Sequence, residues 1–434
     1  MDGDLPAHIP LNEVDHFLLQ LDRSMRQAGG GANVCTFVVT LRGHLTRKTL
    51  LRDLETNPVY RWMTRLRLSQ RLLRRAGWKL DEKADLPDIQ VHSMEESGSL
   101  PVSLLATDLD VAGQTPLKVD LLHDGGRASR LIFTWHHTLM DAHGGEFLVR
   151  HLGGSLTQLP SLRQSQQPLP YRSLGARASI AREMKTNLYD ASKPPLLVLH
   201  DKNKPAGVLR YRVIPFSLQQ TRLIEERCRL HGGAFFTSAF CLAAVACALA
   251  DLQQQRGAAL EDALLPVPQD RRRRGAVGPV IGNQVSFLFY RLPVEVLGDL
   301  ASCTAGLVAQ LQNFIRSRAP EHYLVMMGLL RHLPGPLYRT LLRSPTKGLM
   351  GSCFFSDTGE VLPGCKTLFG HELLDAVHYP PNVYPPGLTF VFSRFREQFR
   401  VTFACMDGVI EAHEGDYLLT ALRRRLLGDA DDTV

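Results

Sequence analysis

An α/β architecture in two similar halves, each mixing strands and helices, is predicted by three observations. The chain has 434 residues, too many for one compact core. Strand-like and helix-like patterns alternate along it, and the alternation restarts after a stretch at 155–206 where "QSQQPLP", "SKPPLL" and "DKNKPAG" lack periodicity. With 44% hydrophobic and 21% charged residues, the composition is that of an ordinary globular protein. The expected partition is a first half at 1–160, a linker or crossover at 161–206 and a second half at 207–434.

The elements follow in order. Leu11, Val14, Phe17, Leu18 and Leu21 recur at helical spacing behind Asn12, a good N-cap, so a helix opens the fold. "NVCTFVVTLRG" at 33–43 is rich in β-branched residues and reads as a strand, and "TRKTLLRDLETN" at 46–57 as a helix. "PLKVDLLHD" and "SRLIFTWHH" read as two strands joined by a turn at Gly125 and Gly126, followed by a helix from Gly144. In the second half, "VLRYRVIPF" is a strand, "LQQTRLIEERCRLHG" a helix and Phe235 to Leu252 a more apolar helix. In "NQVSFLFYRLP" both alternating sets, Val285, Phe287, Phe289 and Ser286, Leu288, Tyr290, are largely apolar, which predicts a central strand. Helices are expected at 297–316 and around 323–342, the second broken by "LPGP". "PGLTFVFSRF" and "QFRVTFACMDG" form a hairpin before a closing helix in "AHEGDYLLTALRRRLLGD".

Net charge is +7 and the isoelectric point near 9.0, which favours anionic partners. The basic residues are not interleaved with aromatics and form no known nucleic-acid motif, so nucleic acid is not expected. The eight cysteines include no CxxC pair and read as buried free thiols of a reducing, cytoplasmic compartment. The acidic N-terminus lacks the basic and apolar regions of a signal peptide. "AFFTSAFCLAAVACALADL" from Ala234 carries Thr, Ser and many Ala and reads as a buried helix rather than a membrane span. "YLVMMGLLRHLPGPLYRTLLRSPTKGLM" at 323–350 mixes apolar residues with Arg331, Arg339, Arg343 and Lys347; it reads either as an interfacial helix pair for lipid or as core helices with a basic face.

The chemistry concentrates in "RLIFTWHHTLMDAHGG" at 130–145. Neighbours in a strand point to opposite faces, so His136 and His137 cannot share one role and only one can address a given cleft. A neutral imidazole is a general base near pH 7 with little tuning. Asp141 can fold back or pair with an arginine to fix the turn that presents the ring, and the following helix brings a partial positive charge to the site. A metal reading would use His136, His137, Asp141, His143 and Glu146, but their spacing matches no metal pattern such as HExxH.

"HHTLMDAHG" resembles the HHxxxDG signature of the chloramphenicol acetyltransferase-like superfamily, which includes nonribosomal peptide condensation domains and bacterial wax ester synthase/diacylglycerol acyltransferases. "LNEVDHFLLQLD" is similar to the opening of the wax ester synthase branch, and "VPVPQDRRRRGAVGPVIGNQVSFLFYRLP" to the superfamily segment with a polar loop, Gly-Asn and a strand bearing Ser. The resemblance implies two halves of the CoA-dependent acyltransferase type with the active site in a tunnel between them. It implies His137 as general base, His136 as supporting, and Asp141 as structural through an arginine. It implies Gly282, Asn283 and Ser286 as tunnel residues that help hold an oxyanion. Ala142 stands where the motif has glycine, which requires a negative φ there. "FFSDTGEVLPG" at 354–364 stands where that branch carries an Asn-Val-Pro-Gly-Pro-like stretch.

The expected activity is acyl transfer from an acyl thioester, acyl-CoA ahead of a phosphopantetheine carrier protein, to a hydroxyl acceptor of lipidic kind. No permanently bound cofactor and no metal is expected, and "GxSxG" does not occur. Arg271 and Arg272, in the run to Arg274, could meet the phosphates of the thioester carrier, or the run is a solvated loop. The alternatives are amide formation from a carrier-protein thioester, and a silent relative that binds a carrier protein or scaffolds an assembly. Peripheral contact with a lipid surface accompanies the lipidic reading.

Overall fold

A computed structural model describes residues 5–70, 76–94, 100–124, 126–156, 161–162, 173–201, 206–232, 236–273, 275–343 and 348–428. Gly125, Ala234, Phe235, Arg274, Lys347 and the "QSQQPLP" stretch at 164–170 lie outside the described residues.

The motif strand Ala128–His136 lies inside a six-stranded sheet. The order is Thr367–Leu368, His371–Tyr379, Val34–Arg42, Ala128–His136, Leu117–Asp124 and Gln90–Ser93. Being central, it buries Phe133 and Trp135 completely and runs antiparallel to both neighbours, with His136 opposite Val34 and Trp135 opposite Cys35. The histidines therefore leave a strand held on both sides. Two strands of this sheet come from the second half of the chain, and His378 sits opposite Phe37. The second half's own sheet has the order Phe354–Glu360, Leu388–Phe395, Gln398–Met406 and Leu209–Pro215. The Leu388–Phe395 and Gln398–Met406 hairpin is present as expected.

The strand Val285–Leu292 is not central. It pairs with one described strand, Ala263–Asp270, in a two-stranded antiparallel ladder. Its two apolar faces have another cause. Ser286, Leu288, Tyr290 and Leu292 are buried, Ser286 donating to the Pro320 carbonyl, while Val285, Phe287 and Phe289 line a cavity.

The first helix, Glu13–Gln27, starts in a capping box: the Asn12 side chain accepts the Asp15 N–H at 2.8 Å and the Asp15 carboxylate accepts the Asn12 N–H at 3.0 Å. Its Val14, Phe17, Leu18, Leu21 and Met25 form a small core with Leu324, Met327 and Tyr338 of helices Ala319–Leu330 and Gly335–Arg343. Arg331 approaches Glu13 at 3.4 Å, Arg339 donates to Gln20 at 3.0 Å and Arg343 to the Ser24 carbonyl at 3.2 Å. Within the described part of 323–350, Ala319–Leu330 packs into this core, Gly335–Arg343 buries only Tyr338, and the arginines tie both helices to the first.

Helix Thr237–Gln255 is long and apolar enough to cross a membrane, and most of it is buried in the second half's core. The 161–206 stretch contains a helix, Leu174–Ala191, capped by Ser173. It buries only Ile180 and Met184, too few apolar positions to give a periodic signal.

Candidate active site

His137 lies one residue past the motif strand, its N–H donating to the Asn33 carbonyl at 2.9 Å. Its half-buried ring lines an apolar cavity of about 190 Å³ between the halves. Phe17 and Cys35 enter this cavity from the first half, and Phe287, Phe289 and Phe354 from the second. Burial lowers the His137 pKa, outweighing the upward pull of Asp141 and of the His137 and Met140 backbone. The ring is neutral at pH 7 and able to accept a proton. Cys35, in the same cavity, has its thiol pushed well up by burial and is no nucleophile.

His136 points elsewhere, as the strand alternation requires. It is fully buried; its Nδ1 accepts the Thr138 N–H at 3.2 Å, which leaves the proton on Nε2, 3.5 Å from Asp22. Burial raises the Asp22 carboxyl, but contact with His136, the Asn33 N–H and Arg26 outweigh it and hold the group below its ordinary value. The structure thus gives His136 a positioning role, not a catalytic one.

Asp141 caps the helix Ala142–Leu152, accepting the Gly144 N–H at 2.9 Å, and accepts the Gln284 N–H at 2.8 Å. Arg272 donates to both of its oxygens, each at 2.9 Å, with both side chains buried. Burial works to raise the carboxyl, yet Arg272 and the two backbone donors hold it below the usual range. Arg272 was expected to be available to phosphate; it is instead taken up by Asp141, Asp270 and the Pro279 carbonyl. Arg271 is exposed on the same loop. Ala142 opens the helix without positive φ, so the methyl in place of hydrogen carries no backbone strain.

Gly282, Asn283 and Ser286 do not line the cavity. Gly282, at φ +84°, donates its N–H to the Leu139 carbonyl at 2.8 Å and bridges Met140. The Asn283 amide donates to the His137 carbonyl and to Asp15, both at 2.8 Å, and its backbone N–H also reaches Asp15 at 2.8 Å. Burial pushes the Asp15 carboxyl up to about 7 against these donors. These two residues hold the histidine loop from behind. Ser286 faces away, bonded to the Pro320 carbonyl at 2.6 Å, so the oxyanion role expected of it finds no support in its geometry.

Sequence reasoning missed the partners on the first helix. Asp15 and Asp22 are two turns apart on one buried face; Asp15 holds Asn283, and Asp22 holds the Asn33 N–H at 2.8 Å and faces His136. The signal was two acids seven apart on an apolar face. Asn33 lines the cavity beside His137 and is 1% exposed, with no described partner for its Oδ1. Also missed was His378, which lines the cavity and contacts Glu146 at 2.9 Å.

The five residues of the metal reading disperse: His136 faces Asp22, His137 the cavity, Asp141 pairs with Arg272, His143 lies toward Glu146 and Asp270, and Glu146 contacts His378. Among the described residues no three His, Cys, Asp or Glu side chains converge as metal ligands do.

No protein-family profile and no curated protein sequence matches the chain. Solved structures match over nearly its full length. TRI3 trichothecene 15-O-acetyltransferase from Fusarium sporotrichioides has a TM-score of 0.70 at 12% identity, covering 97% of this chain and 95% of that one. The first condensation domain of the CDA synthetase gives 0.66 at 14% identity, over 98% and 97%. The starter condensation domain of rhizomide synthetase, in complex with C8-CoA and Leu-SNAC, gives 0.65 at 14% identity, over 99% and 97%. The chain therefore has the mixed-sheet, two-halved fold shared by this O-acetyltransferase and these condensation domains.

Proposed function

We propose that the protein is an acyltransferase that moves an acyl group from a thioester, acyl-CoA first, to a hydroxyl acceptor of lipidic kind. The observation that carries this is His137: a neutral imidazole on a rigid strand end, facing an apolar cavity between the halves. His137 takes the acceptor's proton as its oxygen forms a bond to the thioester carbonyl. The tetrahedral oxyanion collapses, the carbon–sulfur bond breaks, and the imidazolium returns the proton to the departing thiolate, giving ester and free thiol. The apolar lining fits a hydrocarbon chain, and the opening "LNEVDHFLLQLD" is the ground for a lipidic acceptor. Arg271, exposed beside the Arg272–Asp141 pair, remains for the carrier's phosphate. Eight buried free cysteines fit a reducing compartment such as the cytoplasm.

The likeness to condensation domains favours a second reading, amide formation from a carrier-protein thioester with the same base. Both are tested by free-thiol release from acyl-CoAs of graded length, with long-chain alcohols, diacylglycerol or amines, in wild type and His137→Ala. Alcohol-dependent release lost in the variant supports the first reading and amine-dependent release the second. No release with any pair overturns acyl-CoA as donor and turns the test to carrier-protein thioesters and to a scaffold without turnover.

A further inference from the structure

We propose that His378 is a second recognition point in the cavity, accepting a hydrogen bond from a hydroxyl on the substrate remote from the reacting atom. His378 lies in the strand His371–Tyr379, two strands from the motif strand, and lines the same cavity as His137. Its ring stacks on Phe37 with centroids 4.2 Å apart, so its plane is fixed. Its Nε2 lies 2.9 Å from a Glu146 oxygen, and both side chains are buried.

Glu146 is an anion, which fixes the tautomer. Its other oxygen accepts the Leu362 N–H at 2.9 Å and His143 lies 3.7 Å from the first. A carboxylate only accepts, so in the neutral His378 ring the proton sits on Nε2 and Nδ1 is left as an acceptor. No described residue donates to that Nδ1. A fixed acceptor in a largely apolar channel favours a ligand with a donor at that depth over one without it, because a plain chain leaves the acceptor desolvated and unpaired. Glu146 acts through His378 and is a positioning residue. The inference rests on the cavity being the substrate channel of the acyl transfer proposed above.

The test is binding, measured by calorimetry, of linear alkan-1-ols of four to twelve carbons against the α,ω-diols of the same lengths. At one length the diol is expected to bind about tenfold more tightly than its mono-ol, as one net hydrogen bond provides. The preference should survive in His137→Ala, which removes turnover without touching this site, so failure of acyl transfer and failure of this inference are read separately. It should vanish in His378→Phe, and equally in His378→Phe with Glu146→Gln, a pair that leaves no unpaired buried charge to disturb folding. Equal affinity of diol and mono-ol at every length, including no binding of either, overturns the inference. So does a diol preference that persists in the folded His378→Phe proteins.

Discussion

Arg272 and Asp141 are 131 residues apart in the chain, yet they meet through two parallel N–H···O bonds of 2.9 Å, fixing the turn after the histidines to the second half. Both side chains are buried, at 5% and 7% exposure, so removing either partner strands a charge. Arg272→Ala is expected to cost about 3–5 kcal/mol of stability, as breaking a buried pair does. Arg272→Lys should cost nearly as much, since an ammonium cannot make the paired contacts. Urea unfolding of Arg272→Met, of Asp141→Asn and of the two together gives the coupling. A double variant no more stable than the sum of the singles would show that the two act independently.

His137→Ala should keep the fold and lower turnover by about 10²–10⁴, the usual share of a general base. The pH dependence has a definite sign. His137 is held below the 6.5 of free imidazole, so it stays neutral to lower pH, and the acid limb of kcat/KM should fall below 6.5. The Asp141 charge pulls the ring upward, so Asp141→Asn should move that limb lower still. The depressed value also adds stability that is present above 6.5 and lost as pH falls through the folded value. An acid limb at or above 6.5 in wild type would remove His137 from the role of base.

Ser286→Ala separates two uses of one hydroxyl. Because its Oγ donates to the Pro320 carbonyl at 2.6 Å, the variant loses one hydrogen bond while that carbonyl keeps its place in the helix Ala319–Leu330, and it should lose about 0.5–1.5 kcal/mol of stability. Turnover at temperatures where it is folded should be unchanged. A fall in kcat of about 10²-fold or more, the effect of losing an oxyanion donor, would return Ser286 to the reaction.

The motif strand, the helix cap at Asn12 and the need of Asp141 for a partner were legible because each is local: an apolar run ending at a turn, a capping residue, a charge beside that turn. The contacts that finish the site were not. His378 reaches the cavity only because a strand of the second half crosses into the first half's sheet, and no periodicity in "HELLDAVHY" announces that pairing. Arg272 was visible as a member of a charged run, but which arginine is buried depends on a partner 131 residues away. "NQVSFLFYRLP" was misplaced because a strand between helices and a cavity has the same two apolar faces as a strand inside a sheet.

Gly144 and Gly145 are close-packed rather than turn glycines. A Cβ on Gly144 would lie 2.3 Å from the Val280 carbonyl oxygen, and one on Gly145 2.5 Å from the Trp135 ring, which is itself bonded to the Met140 carbonyl. Each alanine variant should therefore destabilise by about 1–3 kcal/mol, as overpacking does. Gly175→Ala, with nothing within 4 Å in an exposed helix, should instead stabilise by about 0.5–1 kcal/mol. Melting temperatures of the three variants check this; a neutral Gly144→Ala would mean the halves approach less closely there.

Glu146 sets the pH window of the second cluster. Burial works against its charge, but His143 and His378 outweigh it and hold the carboxyl down at about 2, against 4.5 when unfolded. Its contribution to stability is therefore fully present above 4.5 and lost as pH falls toward 2. His143 is raised above 6.5 by Glu146, Asp141 and Asp270 in spite of burial, so its share is present below 6.5 and lost as pH rises through the folded value. The two windows overlap between about 4.5 and 6.5. The difference in unfolding free energy between wild type and Glu146→Gln should be largest near pH 5.5 and shrink at pH 3 and pH 8. A difference that stays level across that range would mean that Glu146 is held by size and hydrogen bonding and carries no charge there.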